Sequence, residues 1–210
     1  MDFALLEPRQ ALAFLGSAVL LTLAPGPDNL MVLSIGASRG RVRGMAFGLG
    51  CALGCISHTV LAAIGVSALI KASPVAFTAL KVAGGAYLVW IGWRALRSSG
   101  DTSRGAAPAD PPWALFRRGL VANAINPKVI MFFLALLPQF VVASRGATGV
   151  QIAQLGLLFT LQAAVLFGLL GYFAGAVGQW LAKHANAGRW LDRVAGGVLV
   201  ALGLRLIVAR

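Results

Sequence analysis

The feature that most constrains this chain is a pair of proline interruptions within apolar segments, centred on Pro27 and Pro127. A proline inside a helix removes a backbone donor and frees a carbonyl one turn earlier. In hydrocarbon, freed backbone groups are tolerated only inside protein or beside a water-filled cavity. Matching interruptions in two halves of a chain therefore predict a buried solute site of the transporter kind. The candidate site residues here are Pro25, Gly26, Pro27, Asp28, Asn29, Asn123, Asn126, Pro127 and Lys128.

The composition predicts an integral membrane protein. Of 210 residues, 59% are hydrophobic and 11% are charged, and the mean hydropathy is +0.83. A soluble domain carries about 25% charged residues. The net charge of +12 would suggest a nucleic-acid partner in a soluble protein. In a membrane protein, loop Lys and Arg instead set the orientation, so we expect the lipid bilayer and no nucleic acid as partner.

We predict six membrane-spanning helices in one domain, residues 1–210, because a span needs about 20 apolar residues. A polar loop at 98–116 separates a first half, 1–97, from a second, 117–210. The predicted spans are 12–36, 44–70, 74–96, 118–142, 149–178 and 190–208.

An internal repeat relates the two halves. The sequence at 81–85 recurs with one change at 193–197, and residues 27–28 correspond to 127–128. Three spans per half is an odd number, so the second half must be inverted relative to the first. The predicted fold class is thus an all-α membrane protein of two inverted three-helix repeats with proline-broken first helices, a plan typical of secondary transporters.

The distribution of basic residues predicts the orientation. Eleven Lys and Arg fall in or beside the first, third and fifth loops, and six fall on the other side. Because positive loops stay in the cytoplasm, we expect both termini outside.

Asp28 and Lys128 are the charges expected deep within spans. Each costs on the order of 3 kcal/mol at the bilayer centre, so they persist most easily if they face each other or a hydrated cavity. Their matching positions predict a contact across the pseudo-twofold axis. A static ion pair and a pair that opens during transport or contacts the substrate both remain open.

The broken helices also predict the class of cargo. Helix N-termini attract anions and C-termini attract cations. Two opposed breaks can therefore hold the carboxylate and the ammonium of an amino acid, with Asn29, Asn123 and Asn126 as hydrogen-bonding side chains.

His58, in the second predicted span, is with Asp28 a candidate proton carrier, because its unperturbed pKa is about 6.5. A neutral, hydrogen-bonding histidine is the open alternative. Further polar residues in the fifth span line a cavity or bond neighbouring helices. They are Gln151, Gln154, Gln162 and Tyr172.

We expect no enzyme, metal site or cofactor. Cys51 and Cys55 lie one helical turn apart and are predicted to be small buried apolar residues. Two thiols without a nearby acid or second histidine are a poor metal site. Glycines at four-residue spacing, from Gly36 to Gly48, predict close helix packing. Whether that packing also makes a homodimer is left open.

Four stretches make the chain similar to the LysE/RhtB family of bacterial amino-acid exporters, over essentially all 210 residues. They are 24–28 with Gly40 and Gly44, 84–92, 123–128 and 137–140. The resemblance implies proton-driven efflux of amino acids or close derivatives across the inner membrane, without choosing the cargo. Some relatives carry an acid where this chain has Cys55, which by resemblance disfavours a basic amino acid.

Two other functions are weighed against export. A passive small-solute channel would give flux that is independent of the proton gradient. A membrane thiol-electron carrier needs a reactive cysteine in each half, whereas Cys51 and Cys55 both lie in the first half. The direction of transport rests on the resemblance alone.

Overall fold

The computed structural model describes residues 6–24, 26–66, 73–97 and 110–208, and the regular structure within these ranges is helical, with no strand. The predicted all-α class is therefore confirmed for the described residues. The eight α-helices described are α1 (Pro8–Leu23), α2 (Pro27–Arg39), α3 (Arg41–Leu61), α4 (Pro74–Leu96), α5 (Pro112–Ala124), α6 (Pro127–Met131), α7 (Thr148–Lys183) and α8 (Ala185–Val208).

Two helices continue into other helical forms. A π-helical turn, Ala62–Val66, extends α3. The five-residue α6 continues as a π-helical turn, Phe132–Leu136, and then as a 3-10 turn, Leu137–Phe140. A second 3-10 turn, Ala143–Arg145, precedes α7.

The predicted proline breaks are sharp bends. The axes of α1 and α2 differ by 57°, and those of α5 and the segment Pro127–Phe140 differ by 48°. Pro27 and Pro127 each begin the second helix of their pair. Proline is well tolerated there, because the first backbone N–H of a helix has no intrahelical partner.

The six predicted spans are supported in part. Within the described residues, two helices are long and apolar enough to cross a membrane alone, Arg41–Gly65 and Thr148–Trp180. Each bent pair adds one more if it is a single broken span, which gives four. In the sixth predicted span, the apolar part of α8 is the shorter segment Gly196–Val208.

Helices α4 and α8 pack through two reciprocal glycine contacts. A Cβ at Gly85 would lie 2.7 Å from the carbonyl oxygen of Gly203, and one at Gly203 would lie 2.5 Å from that of Gly85. Gly92 and Gly196 stand in the same relation, at 2.7 and 2.6 Å. Since the numbering rises along one helix and falls along the other between these contacts, the two helices are antiparallel.

The α2–α3 corner, the start of α5 and the end of α7 lie together at one end of the described structure. The Asp110 carboxylate forms ion pairs with Arg39, at 3.6 Å, and with Arg118. Arg43 Nε donates to the Asp110 carbonyl oxygen at 3.0 Å. Near the end of α7, a Cβ at Gly178 would touch the methyl group of Ala37.

The opposite end joins the start of α1 to the turns before α7. Arg145 forms an ion pair with Glu7 at 3.4 Å, and Gln10 Nε2 donates to the Phe140 carbonyl oxygen at 2.6 Å. The α2–α3 corner, the start of α5 and the end of α7 therefore lie at one end of the described structure, and the start of α1 lies at the other.

An aromatic cluster packs directly against the two bends. Phe132 and Phe133 are fully buried, and their rings lie 5.1 and 5.0 Å from the ring of Phe159. Phe14 of α1 lies 5.9 Å from Phe132. These rings form an apolar wall beside the polar residues of the bends.

Candidate functional site

Six polar residues from the two breaks and α3 form one buried cluster. Their exposed fractions are all 7% or less, although three of them carry or can carry a charge. A set of this kind is rare inside an apolar helical protein and is therefore the candidate functional site. The members are Asp28, Asn29, His58, Asn123, Asn126 and Lys128. Gly26, Pro27 and Pro127 shape the bends, and Pro25 lies outside the described residues.

The carboxylate of the first break is held by the second break. Asp28 lies in the first turn of α2, where a negative charge is favourable. Asn123, at the end of α5, donates from Nδ2 to Asp28 Oδ2 at 2.9 Å. This hydrogen bond is charge-assisted and joins residues 95 positions apart.

The ammonium of the second break is held by the first break. Lys128 Nζ donates to the carbonyl oxygens of Leu21 and Ala24, at 3.1 and 2.8 Å. Both carbonyls belong to the end of α1, where helical carbonyls lack backbone partners and carry partial negative charge. Gly26 makes room for this contact, because a Cβ there would lie 2.8 Å from Lys128 Nζ.

The expected direct pair of Asp28 and Lys128 is not formed. Within the described part of the chain, the ion pairs within 4 Å involve Glu7 and Asp110. The prediction was right that the two charges reach across the halves and wrong about their partners. The physical reason is that each charge finds a polar partner in the other break. The second break offers an amide donor to the carboxylate of Asp28, and the first break offers carbonyl acceptors to the ammonium of Lys128.

Asn123 connects the cluster to α3. His58 Nε2 lies 3.0 Å from the Asn123 carbonyl oxygen, and because a carbonyl only accepts, Nε2 is the protonated nitrogen. The Cys55 thiol lies 3.4 Å from Asn123 Oδ1. Gly54 allows this approach, since a Cβ there would lie 2.8 Å from Asn123 Cβ. His58 is therefore a hydrogen-bonding residue in this arrangement and lies next to the second break.

Cys55 is a member of the site that sequence reasoning assigned to plain packing. Both cysteines are buried and free. The spacing in the sequence could have placed Cys55 at the site. Residues three apart on a helix share a face, and Cys55 is three residues before His58.

Thr22 is a second member that the sequence did not suggest. Asn29 Nδ2 donates to its carbonyl oxygen at 2.7 Å, and Gln162 Nε2 donates to its hydroxyl at 2.9 Å. Gln162 thus bonds a neighbouring helix next to the first break.

The other polar residues of the fifth predicted span do not join the cluster. Gln151 bonds the backbone of Val142 and Gly146 and so fixes the turn before α7. The Tyr172 hydroxyl accepts from Arg41 at 3.1 Å and is half-exposed. The buried Oε1 atom of Gln154 has no protein partner.

In the described ranges, no group of three or more His, Cys, Asp or Glu side chains is placed to hold a metal ion. An open groove of about 570 Å³ follows one face of α5, away from the polar cluster. It is lined by Ala114, Arg117, Arg118, Val121, Ala122 and Ile125.

A buried polar cluster between two broken helices is typical of membrane transporters. The family model described as LysE type translocator matches residues 19–210, so the chain belongs to that family. Its members are transporters rather than enzymes.

Curated relatives cover nearly the whole chain. A homoserine/homoserine lactone efflux protein of Salmonella typhimurium is 34% identical over 94% of this chain and 96% of its own. A leucine efflux protein of Enterobacter sp. is 29% identical over 90% of each. An uncharacterized membrane protein of Vibrio cholerae is 34% identical over 95% of this chain and 97% of its own. No solved structure matches.

Proposed function

We propose that this protein is a secondary transporter that exports amino acids or close derivatives from the cytoplasm and uses the proton gradient to do so. The observation that carries the proposal is the crossed bonding of the two breaks. Asn123 of the second break holds Asp28, while Lys128 holds the carbonyls of the first. A cluster held together from both halves can change its bonds when the halves move, as alternating access requires.

The chemistry of the cluster suits an amino acid. The end of α1 presents carbonyl oxygens that suit an ammonium, and Lys128 with the amides of Asn123 and Asn126 suits a carboxylate. The family and the leucine and homoserine efflux relatives support a small amino acid as cargo. The hypothesis assigns cargo or proton binding to Gly26, Asp28, Asn29, His58, Asn123, Asn126 and Lys128, with the three prolines of the breaks keeping the helices bent.

The proton candidates are Asp28 and His58. Both are buried beside Asn123, so a change in the protonation of either alters the bonds that this side chain makes. That is the coupling which a proton-driven carrier needs.

We further propose six spans in two inverted three-helix repeats. The reciprocal contacts of Gly85 with Gly203 and of Gly92 with Gly196 support this, because a pseudo-twofold axis between α4 and α8 would interchange them. By the positive-inside rule, we expect the end with Arg39, Arg43 and Asp110 on the cytoplasmic side of a bacterial inner membrane, and both termini outside.

The orientation is tested by labelling single cysteines in a cysteine-free background. A cysteine at Ser99 should react with an impermeant maleimide from the cytoplasm, and one at Thr148 from outside. The reverse pattern would overturn the orientation without touching the rest of the proposal.

A homodimer is compatible with this fold. Gly168 and Gly175 of α7 lie seven residues apart, and a Cβ at either would meet nothing within 4 Å in the chain. Small residues at such spacing allow close approach of a second helix in lipid. The mass of the detergent-solubilised protein decides between monomer and dimer.

The transport function is tested by an efflux screen. Bacteria with and without the protein are loaded with amino acids through dipeptides, and the medium is sampled over time. We expect faster appearance of one or a few amino acids, abolished by a protonophore. Flux that survives the protonophore and shows no counterflow would favour a channel. No difference for any amino acid, with the protein confirmed in the membrane, would reject the proposed cargo class.

A further inference from the structure

The end of α1 already holds an alkylammonium group. Lys128 Nζ sits 2.8 Å from the Ala24 carbonyl oxygen and 3.1 Å from that of Leu21. These oxygens belong to the backbone of the first half, whereas the lysine comes from the second half. The contact is therefore one between a cation on a flexible stem and a fixed pair of acceptors.

Two buried amide atoms at the breaks have no protein partner. Asn29 bonds Thr22 through Nδ2, which leaves its Oδ1 unpaired beside the last turn of α1. Asn126 uses its Oδ1 to accept from the Lys128 backbone N–H, which leaves its Nδ2 unpaired. Both side chains are at least nine-tenths buried. An unpaired buried polar atom is costly, so such atoms in a native fold need an explanation.

One unpaired atom is a hydrogen-bond acceptor and the other is a donor. The first break has an unpaired acceptor, Asn29 Oδ1, on a side chain whose Nδ2 bonds the carbonyl of Thr22, the residue after Leu21. The second break has a spare amide donor next to Lys128, so a neutral and a charged donor are available for a carboxylate.

We propose that the Leu21 and Ala24 carbonyl oxygens form the subsite for the ammonium group of the cargo, and that Lys128 occupies it as a tethered competitor. This inference rests on the proposed function and specifies how its site works. When an amino acid binds, its ammonium displaces Lys128 Nζ from the carbonyls. The freed lysine then pairs with the carboxylate of the same cargo molecule, beside Asn126 Nδ2.

The competition explains how the site selects a zwitterion. An amine alone takes the carbonyls but leaves the displaced Lys128 buried without a counter-charge. A carboxylic acid alone draws Lys128 away from the carbonyls and leaves them unpaired. Each half-ligand therefore leaves buried polar groups unsatisfied, which is costly. A zwitterion satisfies both.

The subsite can be tested without any amino acid or transport. In Lys128→Ala, the tether is gone and the carbonyls are left for an external amine. We expect 100 mM n-propylammonium to raise the thermal unfolding midpoint of the purified variant by about 3 °C more than tetramethylammonium does. Tetramethylammonium is the matched probe, because it carries the same charge without an N–H donor. The control variant Lys183→Ala, changed at the far end of α7, should respond equally to both salts.

Equal responses of Lys128→Ala to the two cations would overturn the subsite. For Lys128→Met, the same two cations are compared and the same two outcomes apply. If neither variant is recovered folded, the folded yield after extraction in propylammonium is compared with that in tetramethylammonium. A higher yield with propylammonium supports the subsite, and equal yields overturn it.

A second arm separates this inference from the proposed cargo. Wild-type protein is tested with leucine and homoserine, and with 3-methylbutylamine and 4-methylpentanoate as the two half-ligands of leucine. Stabilisation by an amino acid and by neither half-ligand supports the competition. If propylammonium stabilises Lys128→Ala but no amino acid stabilises the wild-type protein, the subsite is supported and amino acids are rejected as cargo. Stabilisation by 3-methylbutylamine equal to that by leucine overturns the tethered competitor.

Discussion

The two helix breaks differ in where their backbone groups find partners. The second break caps itself, because Asn126 Oδ1 accepts from the Lys128 backbone N–H at 3.0 Å at the start of α6. The first break has Gly26 at the corresponding cap, with no side chain to offer, and its Leu21 and Ala24 carbonyls depend on Lys128 from the other half. The second break thus supplies its own helix cap, whereas the carbonyls of the first break are bonded by a side chain of the other half.

The donors at the two breaks also differ. The first break receives the ammonium of Lys128, and the second receives the imidazole of His58 at the Asn123 carbonyl. An ammonium only donates and can be exchanged for another ammonium, whereas an imidazole can donate through one nitrogen and accept through the other. In the mechanism that we propose, cargo exchange belongs to the first break and proton exchange to the region around Asn123.

The largest effect is expected from Lys128→Met, which removes the movable partner of the first break. Two buried carbonyls lose a charged donor, and we expect a loss of about 3 kcal/mol in the free energy of unfolding, together with loss of efflux. Denaturation of the purified protein measures the first and cellular efflux the second. Lys183→Met is the control and should behave as wild type. A Lys128→Met variant of normal stability would mean that the first break does not need its partner.

Asp28→Asn removes the charge that joins the breaks and keeps the shape of the side chain. The hydrogen bond from Asn123 loses its charge assistance, and we expect efflux to fall by about 100-fold while the protein still reaches the membrane. The rate of amino-acid appearance, normalised to the amount of membrane protein, is the measurement.

The double exchange Asp28→Lys with Lys128→Asp sharpens the same comparison. Since the two charges bond to different groups in this structure, the exchange puts each charge against groups of the wrong sign. We expect no recovery over the single variants. Recovery of efflux would show that the two residues pair directly during transport.

His58→Gln tests whether proton exchange and cargo exchange take place at different breaks. Glutamine keeps an N–H donor for the Asn123 carbonyl but does not titrate. In proteoliposomes, amino-acid exchange at equal pH should continue near the wild-type rate, while efflux driven by a pH gradient should fall roughly tenfold. Unchanged gradient-driven efflux would remove His58 from the proton path and leave Asp28 as the candidate.

The smallest effect is expected from Gly26→Ala. The backbone at Gly26 is extended, with φ −166°, so alanine fits it without strain. The new methyl group would instead lie 2.8 Å from Lys128 Nζ and push the flexible lysine away from the carbonyls. We expect efflux to change about fivefold with little loss of stability. Gly16→Ala in α1, where a Cβ also meets nothing within 4 Å, is the matched control.

The breaks themselves were readable from the sequence, because proline and glycine act on the chain locally. The helices are interrupted near Pro27 and Pro127 as predicted, and the charged residue after each proline is buried. The resemblance in these stretches also identified the family correctly.

The partners within the site were not readable. Lys128 bonds to backbone carbonyls, and every residue has one, so no side chain in the sequence marks Leu21 or Ala24 as acceptors. Cys55 looked like packing because its role depends on how closely α3 approaches Asn123. The π-helical turn after α6 was also missed, since the apolar run 132–136 reads equally as ordinary helix.

The most direct test of the account is an experimental structure of the protein with the amino acid that the efflux screen identifies. We predict its ammonium within hydrogen-bonding distance of the Leu21 and Ala24 carbonyl oxygens, and Lys128 Nζ moved onto its carboxylate. An amino acid bound elsewhere, such as the groove along α5, with Lys128 still on both carbonyls, would contradict the account.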